Sequence, residues 1–138
     1  MPRRLVIVCF DTNVLVSAVA TRGICADIVN AALAEHRLVV GATALSELRQ
    51  VLLAKPRLPA STANEMDAFL RLHATVIPKA AALEFRELKQ NDRAVLAEAI
   101  AGQPDVLVTG DQDLLRVAAR APIKILPPRG FWKLLRGG

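Results

Sequence analysis

Short runs of apolar residues alternate along the chain with longer segments whose apolar positions recur at helical spacing. The run LVIVCF at 5–10 is continuous and rich in β-branched residues, which is typical of a strand covered on both faces. Four later runs have a similar character. The predicted strands are 5–10, 37–41, 74–77, 105–110 and 123–126.

The segments between these strands carry apolar residues three and four positions apart and predict helices. Turn, capping and breaking residues mark their limits: Thr43 as an N-cap, Pro56 as a stop, Ser61 or Thr62 as a second N-cap, and Gly102 as a C-terminal signal. The predicted helices are 14–20, 25–36, 43–55, 61–73, 91–102 and 111–120, with 81–89 ambiguous but closer to a helix, and a short terminal helix within 127–138 anchored by Phe131 and Trp132.

Strands that alternate with helices predict βαβ units and therefore a mostly parallel sheet. We expect an α/β fold with three layers, α/β/α, and a central sheet of about five strands. The length of 138 residues favours a single domain over 1–138. No apolar run reaches the ~20 residues of a membrane span, and the N-terminal apolar run lacks the cleavage site of a signal peptide. The expected location is cytoplasmic, without membrane association.

The charge and the cysteine content of the chain limit the kinds of partner and site that need to be considered. The net charge of +5 favours an anionic partner such as nucleic acid, although a positive charge also simply maintains solubility. Every charged residue after Asp113 is basic. The two cysteines, Cys9 and Cys25, are far apart and form no zinc or redox motif, and Cys9 is expected in the core.

Two acids follow predicted buried strands. Asp11 ends the first strand and Asp111 follows the fourth, so both should lie at the carboxyl edge of the sheet, where α/β proteins bind ligands. Either could instead be only a helix N-cap, and Asp113 and Asp92 each begin a helix in the same way. Glu47 lies on the flank of an apolar helical stripe, close enough to the buried side to face that edge.

Carboxylates that converge at one edge repel one another and require a counterion. Oxygen ligands without cysteine or histidine suit Mg²⁺ or Mn²⁺, which also bind substrate phosphates. A metal of this kind can activate water for attack on a phosphodiester. The acids therefore predict metal-dependent hydrolysis of a phosphate ester.

The chain also resembles the PIN domain family, of the small bacterial type often encoded as the toxin of a toxin–antitoxin pair. The resemblance covers nearly the whole chain and rests on FDTNVLVSA at 10–18, SEL at 46–48, the Asp at 92 with VLAEA ending at 99, and DVLVTGDQDLL at 105–115. It implies a metal-dependent endoribonuclease, an RNA substrate, an antitoxin that binds near the site, and a homodimer.

By matching positions, the resemblance assigns roles to eight residues. The catalytic and metal-binding acids would be Asp11, Glu47, Asp92 and Asp111, with Asp113 as an auxiliary ligand, Asn13 and Thr109 as polar supports, and Ser46 as a neighbour of the site. The chain departs from the family pattern before Asp92. Similar proteins often have a run of acids there, whereas this sequence reads RELKQNDRAV.

Other functions remain open at this stage. A haloacid-dehalogenase-like phosphatase also begins with a strand and an acid, but Asn13 replaces its second acid. A receiver-type signalling domain would leave Glu47 without a role, and a metal-free ribonuclease would depend on His36 and His73, both near helix ends. A catalytically weak module that binds RNA or protein is the non-enzymatic alternative.

Overall fold

Five strands and seven helices alternate in the computed structural model, which describes residues 5–81 and 85–137. The strands are β1 (Ile7–Phe10), β2 (Arg37–Gly41), β3 (Thr75–Ile77), β4 (Val106–Val108) and β5 (Lys124–Leu126). The helices are α1 (Thr12–Ala20), α2 (Ile24–Glu35), α3 (Ala42–Leu53), α4 (Ala60–His73), α5 (Gln90–Ala101), α6 (Gln112–Arg116) and α7 (Pro128–Gly137).

The strands form one parallel sheet in the order β3-β2-β1-β4-β5. β1 therefore lies at the centre, between β2 and β4. The chain crosses from β1 to β2 on one side and reaches β4 on the other, so the direction of winding changes at β1. This is the point where parallel α/β sheets place their ligand sites.

Side chains alternate between the two faces of the sheet and build two apolar cores. Val8 and Phe10 of β1 pack into one core, while Cys9 between them packs into the other. Helices α1, α2, α3, α4 and α7 cover the first face, and α5 and α6 cover the second. The predicted three-layer α/β/α fold and its five strands are confirmed, and the sheet is fully parallel.

The terminal helix packs as predicted. Phe131 is fully buried, and its ring meets that of Phe10 edge to face at a centroid distance of 5.8 Å. Trp132 is half-buried against the same core. The buried position of Cys9 is also confirmed.

The predicted N-caps of α3 and α4 are wrong, because each of these helices begins before its predicted cap. β2 continues directly into α3, whose N-cap is Gly41, so Thr43 is not the N-cap but lies within the first turn. The N-cap of α4 is Pro59, which replaces the predicted Ser61 or Thr62. α3 also ends at Leu53 rather than 55, because the residue before Pro56 is disfavoured in a helical conformation.

Two other predicted helices are shorter or absent. α6 ends at Arg116 instead of 120, and the chain continues in turns with hydrogen bonds three residues apart, which keep Leu114 and Val117 in the core. In the segment 81–89, residues 85–89 form turns rather than a helix, and 82–84 lie outside the described residues.

The hairpin of α1 and α2 turns at Thr21-Arg22-Gly23, as predicted. Gly23 has a φ of 150°, a conformation that favours glycine over residues with a side chain. Within the described part of the chain, no single helix has the length and apolar character of a membrane span. α1 and α2 have this length and apolar character only when taken together, and the two helices are bent by 102° relative to each other.

Candidate active site

Asp11 and Asp111 lie beside each other at the carboxyl edge of the sheet. The Asp11 backbone N–H donates to the Val108 carbonyl (2.9 Å), which extends the pairing of β1 and β4 up to the first acid. Each acid is also the N-cap of the helix that follows it, α1 or α6. The capping role and a role at a shared site are thus compatible, because a carboxylate has two oxygens and several lone pairs.

Three donors fix the orientation of the buried Asp11 carboxylate. Oδ1 accepts from the Thr12 backbone N–H (2.7 Å), while Oδ2 accepts from the Thr109 hydroxyl (2.7 Å) and the Asn13 side-chain amide (3.2 Å). Only 5% of Asp11 is exposed. These contacts leave a preoriented acid at the base of the site.

Asn13 and Thr109 connect the ends of β1 and β4. Asn13 donates to Asp11 through Nδ2 and accepts from the Gly110 backbone N–H through Oδ1 (3.2 Å). Thr109 donates to Asp11 and accepts from the Asp111 backbone N–H (3.0 Å). An aspartate at position 13 could accept from Gly110, but when ionised it could not donate to Asp11.

A cleft of about 470 Å³ opens above these residues. Thr12 connects its two walls, since its hydroxyl lies 3.4 Å from Oε1 of Glu47, on α3. The structure therefore brings all four predicted catalytic acids to one cleft. Its lining residues are Asp11, Thr12, Asn13, Val16, Ser17, Ala20, Thr21, Glu47, Val51, Lys55, Asp92 and Asp111.

Asp113 lies beside two of these acids. One carboxylate oxygen each from Asp92, Asp111 and Asp113 lie within 4.8 Å of one another, which is close enough to share a cation. Asp111 caps α6 by accepting from the Asp113 backbone N–H (2.8 Å). Asp113 in turn accepts from the exposed Arg116 guanidinium at 2.6 Å.

The pKa values of two acids reflect this crowding. Burial raises the pKa of Asp11 above its usual value, the Thr109 and Thr12 hydrogen bonds lower it, and Glu47 and Asp111 raise it further. The pKa of Asp92 is raised by burial and then by Asp111, Asp11 and Asp113, against a smaller opposing effect of Lys89. The surroundings of Asp11 and Asp92 therefore disfavour the ionised form of both acids.

These residues fit the divalent metal that the sequence predicted. The donor set consists of carboxylate oxygens, which Mg²⁺ and Mn²⁺ prefer, and a cation would relieve the repulsion that raises the pKa of Asp92. Asp92, Asp111 and Asp113 are the residues closest to one another for this role. Asp11 and Glu47 complete the acidic lining of the same cleft.

Ser46 and the histidines lie elsewhere. Ser46 is exposed on α3 and is not among the residues that line the cleft, although Glu47 beside it is. His36 accepts from the Val6 backbone N–H through Nδ1, and the His73 ring contacts that of Phe69. Neither histidine lines the cleft, so their placement gives no support to a histidine-based ribonuclease.

The sequence analysis overlooked Thr12 and Lys55. Thr12 stands between two residues already identified, and its hydroxyl is the link between Asp11's helix and Glu47. Lys55 lies two residues beyond the end of α3 and lines the same cleft as Glu47. A single lysine after a helix gives no sequence signal, so only the structure identifies it.

Glu98 is a third residue that the sequence analysis overlooked. It is 1% exposed on α5, and its carboxylate accepts from the Thr43 backbone N–H (2.6 Å) and the Thr43 hydroxyl at the start of α3. A Cβ on Gly41 would lie 2.7 Å from Glu98 Oε1 and 2.8 Å from its Cβ, so this approach requires glycine. The glycine that ends β2 was the available sequence signal.

A three-layer fold with acids at the ends of two adjacent central strands defines a class of α/β proteins with an oxygen-only cation site. Within this class, a model of the PIN domain matches residues 7–113, so the chain belongs to the PIN domain family. Members of this family are generally nucleases and generally bind divalent metals. A search of curated proteins found no match.

Solved structures show the same fold at low sequence identity. VapBC2 from Rickettsia felis, in a structure with a DNA fragment from its promoter, is 19% identical with a TM-score of 0.61, over 87% of this chain and 96% of that one. VapBC-1 from nontypeable Haemophilus influenzae is 17% identical with a TM-score of 0.63, over 89% and 98%. PAE2754 from Pyrobaculum aerophilum is 16% identical with a TM-score of 0.65, over 97% and 91%.

Proposed function

We propose that this protein is an endoribonuclease that hydrolyses RNA phosphodiesters with Mg²⁺ or Mn²⁺. The observation that carries the proposal is the approach of Asp92, Asp111 and Asp113 to within 4.8 Å, in a region whose cleft Asp11 and Glu47 also line. Membership in the PIN domain family supports it independently. The positive net charge suits an RNA substrate.

The chain's own residues prepare the site before substrate arrives. Asp92, Asp111 and Asp113 would hold the ion, while the Thr109 and Asn13 hydrogen bonds keep Asp11 directed into the cleft. The hydroxyl of Thr12 keeps Glu47 close to the same point. A bound divalent cation would supply an activated water and charge neutralisation at the phosphodiester.

RNA cleavage assays with Mg²⁺ or Mn²⁺ test the proposal. We expect cleavage with either metal, loss of cleavage in EDTA, and a loss of about 10²-fold or more for Asp111→Asn. Glu65 is an exposed acid on α4 away from the cleft, so Glu65→Gln is the matched control and should cleave like wild type. Cleavage that persists in EDTA would contradict the metal mechanism.

The alternative of a binding module makes the opposite prediction. It requires that wild-type protein cleave no RNA with either metal while still binding RNA or a protein partner. The raised pKa of Asp92 gives this alternative a physical basis, since an acid that resists ionisation binds cations less strongly. Metal-dependent cleavage would exclude it.

We further propose that the protein is the toxin of a toxin–antitoxin pair and acts in the cytoplasm. The similar structures from Rickettsia felis and Haemophilus influenzae are of VapBC proteins, which supports an antitoxin partner. The antitoxin is expected to bind near the acidic edge and block cleavage. Expression of this chain alone should arrest growth, and coexpression of a neighbouring small protein should restore it.

A homodimer is also expected. Its test is the molar mass of the purified chain in solution, measured by light scattering after size exclusion. A mass of about twice the 14.9 kDa chain would support the dimer, and a monomer mass at all concentrations would contradict it.

A further inference from the structure

The cleft extends beyond the acids as a groove between α1 and α3. Both helices begin at the carboxyl edge of the sheet, and they contact each other. Residues spaced four positions apart line the groove on both sides. These are Thr12, Val16 and Ala20 on α1, and Glu47, Val51 and then Lys55 on the α3 side.

The groove changes character along its length. The acids lie at the end where the helices begin, and its middle is apolar, with Val51 37% exposed although it is a large aliphatic residue. Ser17 and Thr21 add hydroxyl groups along α1. Lys55 follows the end of α3 and lines the groove at the end away from the acids, beyond Val51.

Lys55 has no acidic partner among residues 5–81 and 85–137. The ion pairs of the described residues join Arg71 to Asp67, Arg116 to Asp113 and Arg120 to Glu87. A half-buried ammonium that lines a groove without a carboxylate beside it is available to an anion. The groove thus offers a cation at one end and a metal-binding cluster at the other.

We propose that this groove is a nucleotide subsite, in which Lys55 binds a phosphate that flanks the scissile one in the substrate strand. The proposal rests on the proposed RNA cleavage and specifies how that substrate is held. In this proposal the base or sugar of the intervening nucleotide lies against Val16 and Val51. The Ser17 hydroxyl, which is hydrogen-bonded to the Thr21 hydroxyl at 3.4 Å, lines the same groove.

The chemistry of the groove favours a single-stranded substrate. A base in a duplex is stacked and paired, so only an unpaired nucleotide can place its apolar faces against a protein wall. An isolated lysine also suits one phosphate rather than a sequence-specific contact with a base edge. The volume of about 470 Å³ is in the range of small-ligand sites.

Cleavage kinetics on RNAs of graded length test the subsite. Single-stranded RNAs of mixed sequence are extended one nucleotide at a time on either side of the cleaved bond. For wild type, KM should fall at one specific extension on one side. In Lys55→Ala that fall should disappear, so that KM on the longer RNA is about fivefold higher while kcat is nearly unchanged.

Two further variants control for charge and fold. Lys55→Arg keeps the positive charge and should retain the gain at that extension. Lys133→Ala removes an exposed lysine on α7, outside the cleft, and should behave like wild type. In Lys55→Ala the salt dependence of log KM should also lose about 0.7 from its slope, as for one phosphate contact of a single strand.

The outcomes separate this proposal from the one on which it rests. Absence of metal-dependent cleavage by wild type overturns the proposed function and the subsite together. If the wild-type protein cleaves RNA and Lys55→Ala shows the same KM and the same dependence on RNA length, the subsite alone is overturned. The groove would then be open to another occupant, such as a protein partner. The subsite is supported if KM falls at that extension in Lys133→Ala as much as in wild type, and if this fall is absent in Lys55→Ala.

Discussion

Two carboxylates are buried in the described part of the chain, Asp11 and Glu98, and their environments are opposite. Both are almost inaccessible, and both accept hydrogen bonds at the start of a helix. Glu98 accepts two bonds from Thr43 at the positive end of the α3 dipole, whereas Asp11 lines a cleft with three other acids. Burial alone therefore does not mark a chemical site. The distinguishing feature is the presence of neighbouring acids, whose repulsion is relieved either by a bound cation or by protonation.

The largest effect expected from this comparison is on catalysis. Asp11→Asn keeps the size of the side chain but removes a charge from the cleft, so cleavage should fall by about 10²-fold or more. Glu98→Gln, the matched change in the other carboxylate, should keep cleavage within a few-fold of wild type. The measurement is kcat/KM in Mn²⁺. A folded Glu98→Gln variant that has lost cleavage would show that Glu98 also belongs to the chemistry.

The second effect is on the free energy of unfolding, and we expect it mainly from substitutions of Glu98. Glu98→Ala leaves a cavity and removes the acceptor of the Thr43 N–H, so it should lower the free energy of unfolding by about 3 kcal/mol. Urea unfolding measures this change. Glu98→Gln retains one carbonyl acceptor and should lose less. Equal losses in the two variants would argue against the hydrogen bonds to Thr43 as the cause.

A smaller effect concerns the thermal stability of the protein when no metal neutralises the acids of the cleft. Since burial and three neighbouring acids raise the pKa of Asp92, Asp92→Asn should raise the Tm of the protein in EDTA by about 1–3 °C. The same variant should show a reduced rise in Tm on addition of Mn²⁺. A lower Tm in EDTA would mean that favourable contacts of Asp92 outweigh the repulsion.

The smallest expected change is at Cys9, which is close enough to both carboxylates for their charges to act on it. Burial, then Asp11 and Glu98, raise the pKa of the Cys9 thiol to about 12. Because only the thiolate reacts, Cys9 should stay unmodified by iodoacetamide as pH rises from about 7 to 10 in the folded protein. Cys25 is half-buried and serves as the internal reference. Mass spectrometry of both peptides gives the two rates.

The sequence predicted the fold well because apolar runs and helical spacing report directly on burial. All five strands were predicted, and the alternation of strands and helices predicted a mostly parallel sheet, which the structure shows to be fully parallel. Helix starts were less predictable, since they depend on tertiary contacts. The start of α3 is an example, because the group that accepts the hydrogen bond from Thr43 comes from Glu98, 55 residues later.

Asp11 and Asp111 could be predicted as site residues because the carboxyl ends of parallel strands lie at the same edge of the sheet. Asp11 and Asp111 each follow an apolar run that predicts a buried strand, and the structure pairs these two strands. The network around them was less accessible. The Thr109 hydroxyl bonds to Asp11 across 98 residues, and its geometry depends on the register of β1 and β4. Lys55 was missed because one lysine after a helix has no distinctive sequence pattern.

The contact between Glu98 and Thr43 ties the start of α3 to α5 beside the acidic edge. Thr43 is four residues from Glu47 and eight from Val51, which correspond to about 6 Å and 12 Å along the helix. A small tilt of α3 about this contact would therefore displace Val51 about twice as much as Glu47. The tied start of α3 thus favours a fixed position for Glu47 more than for the far end of the groove.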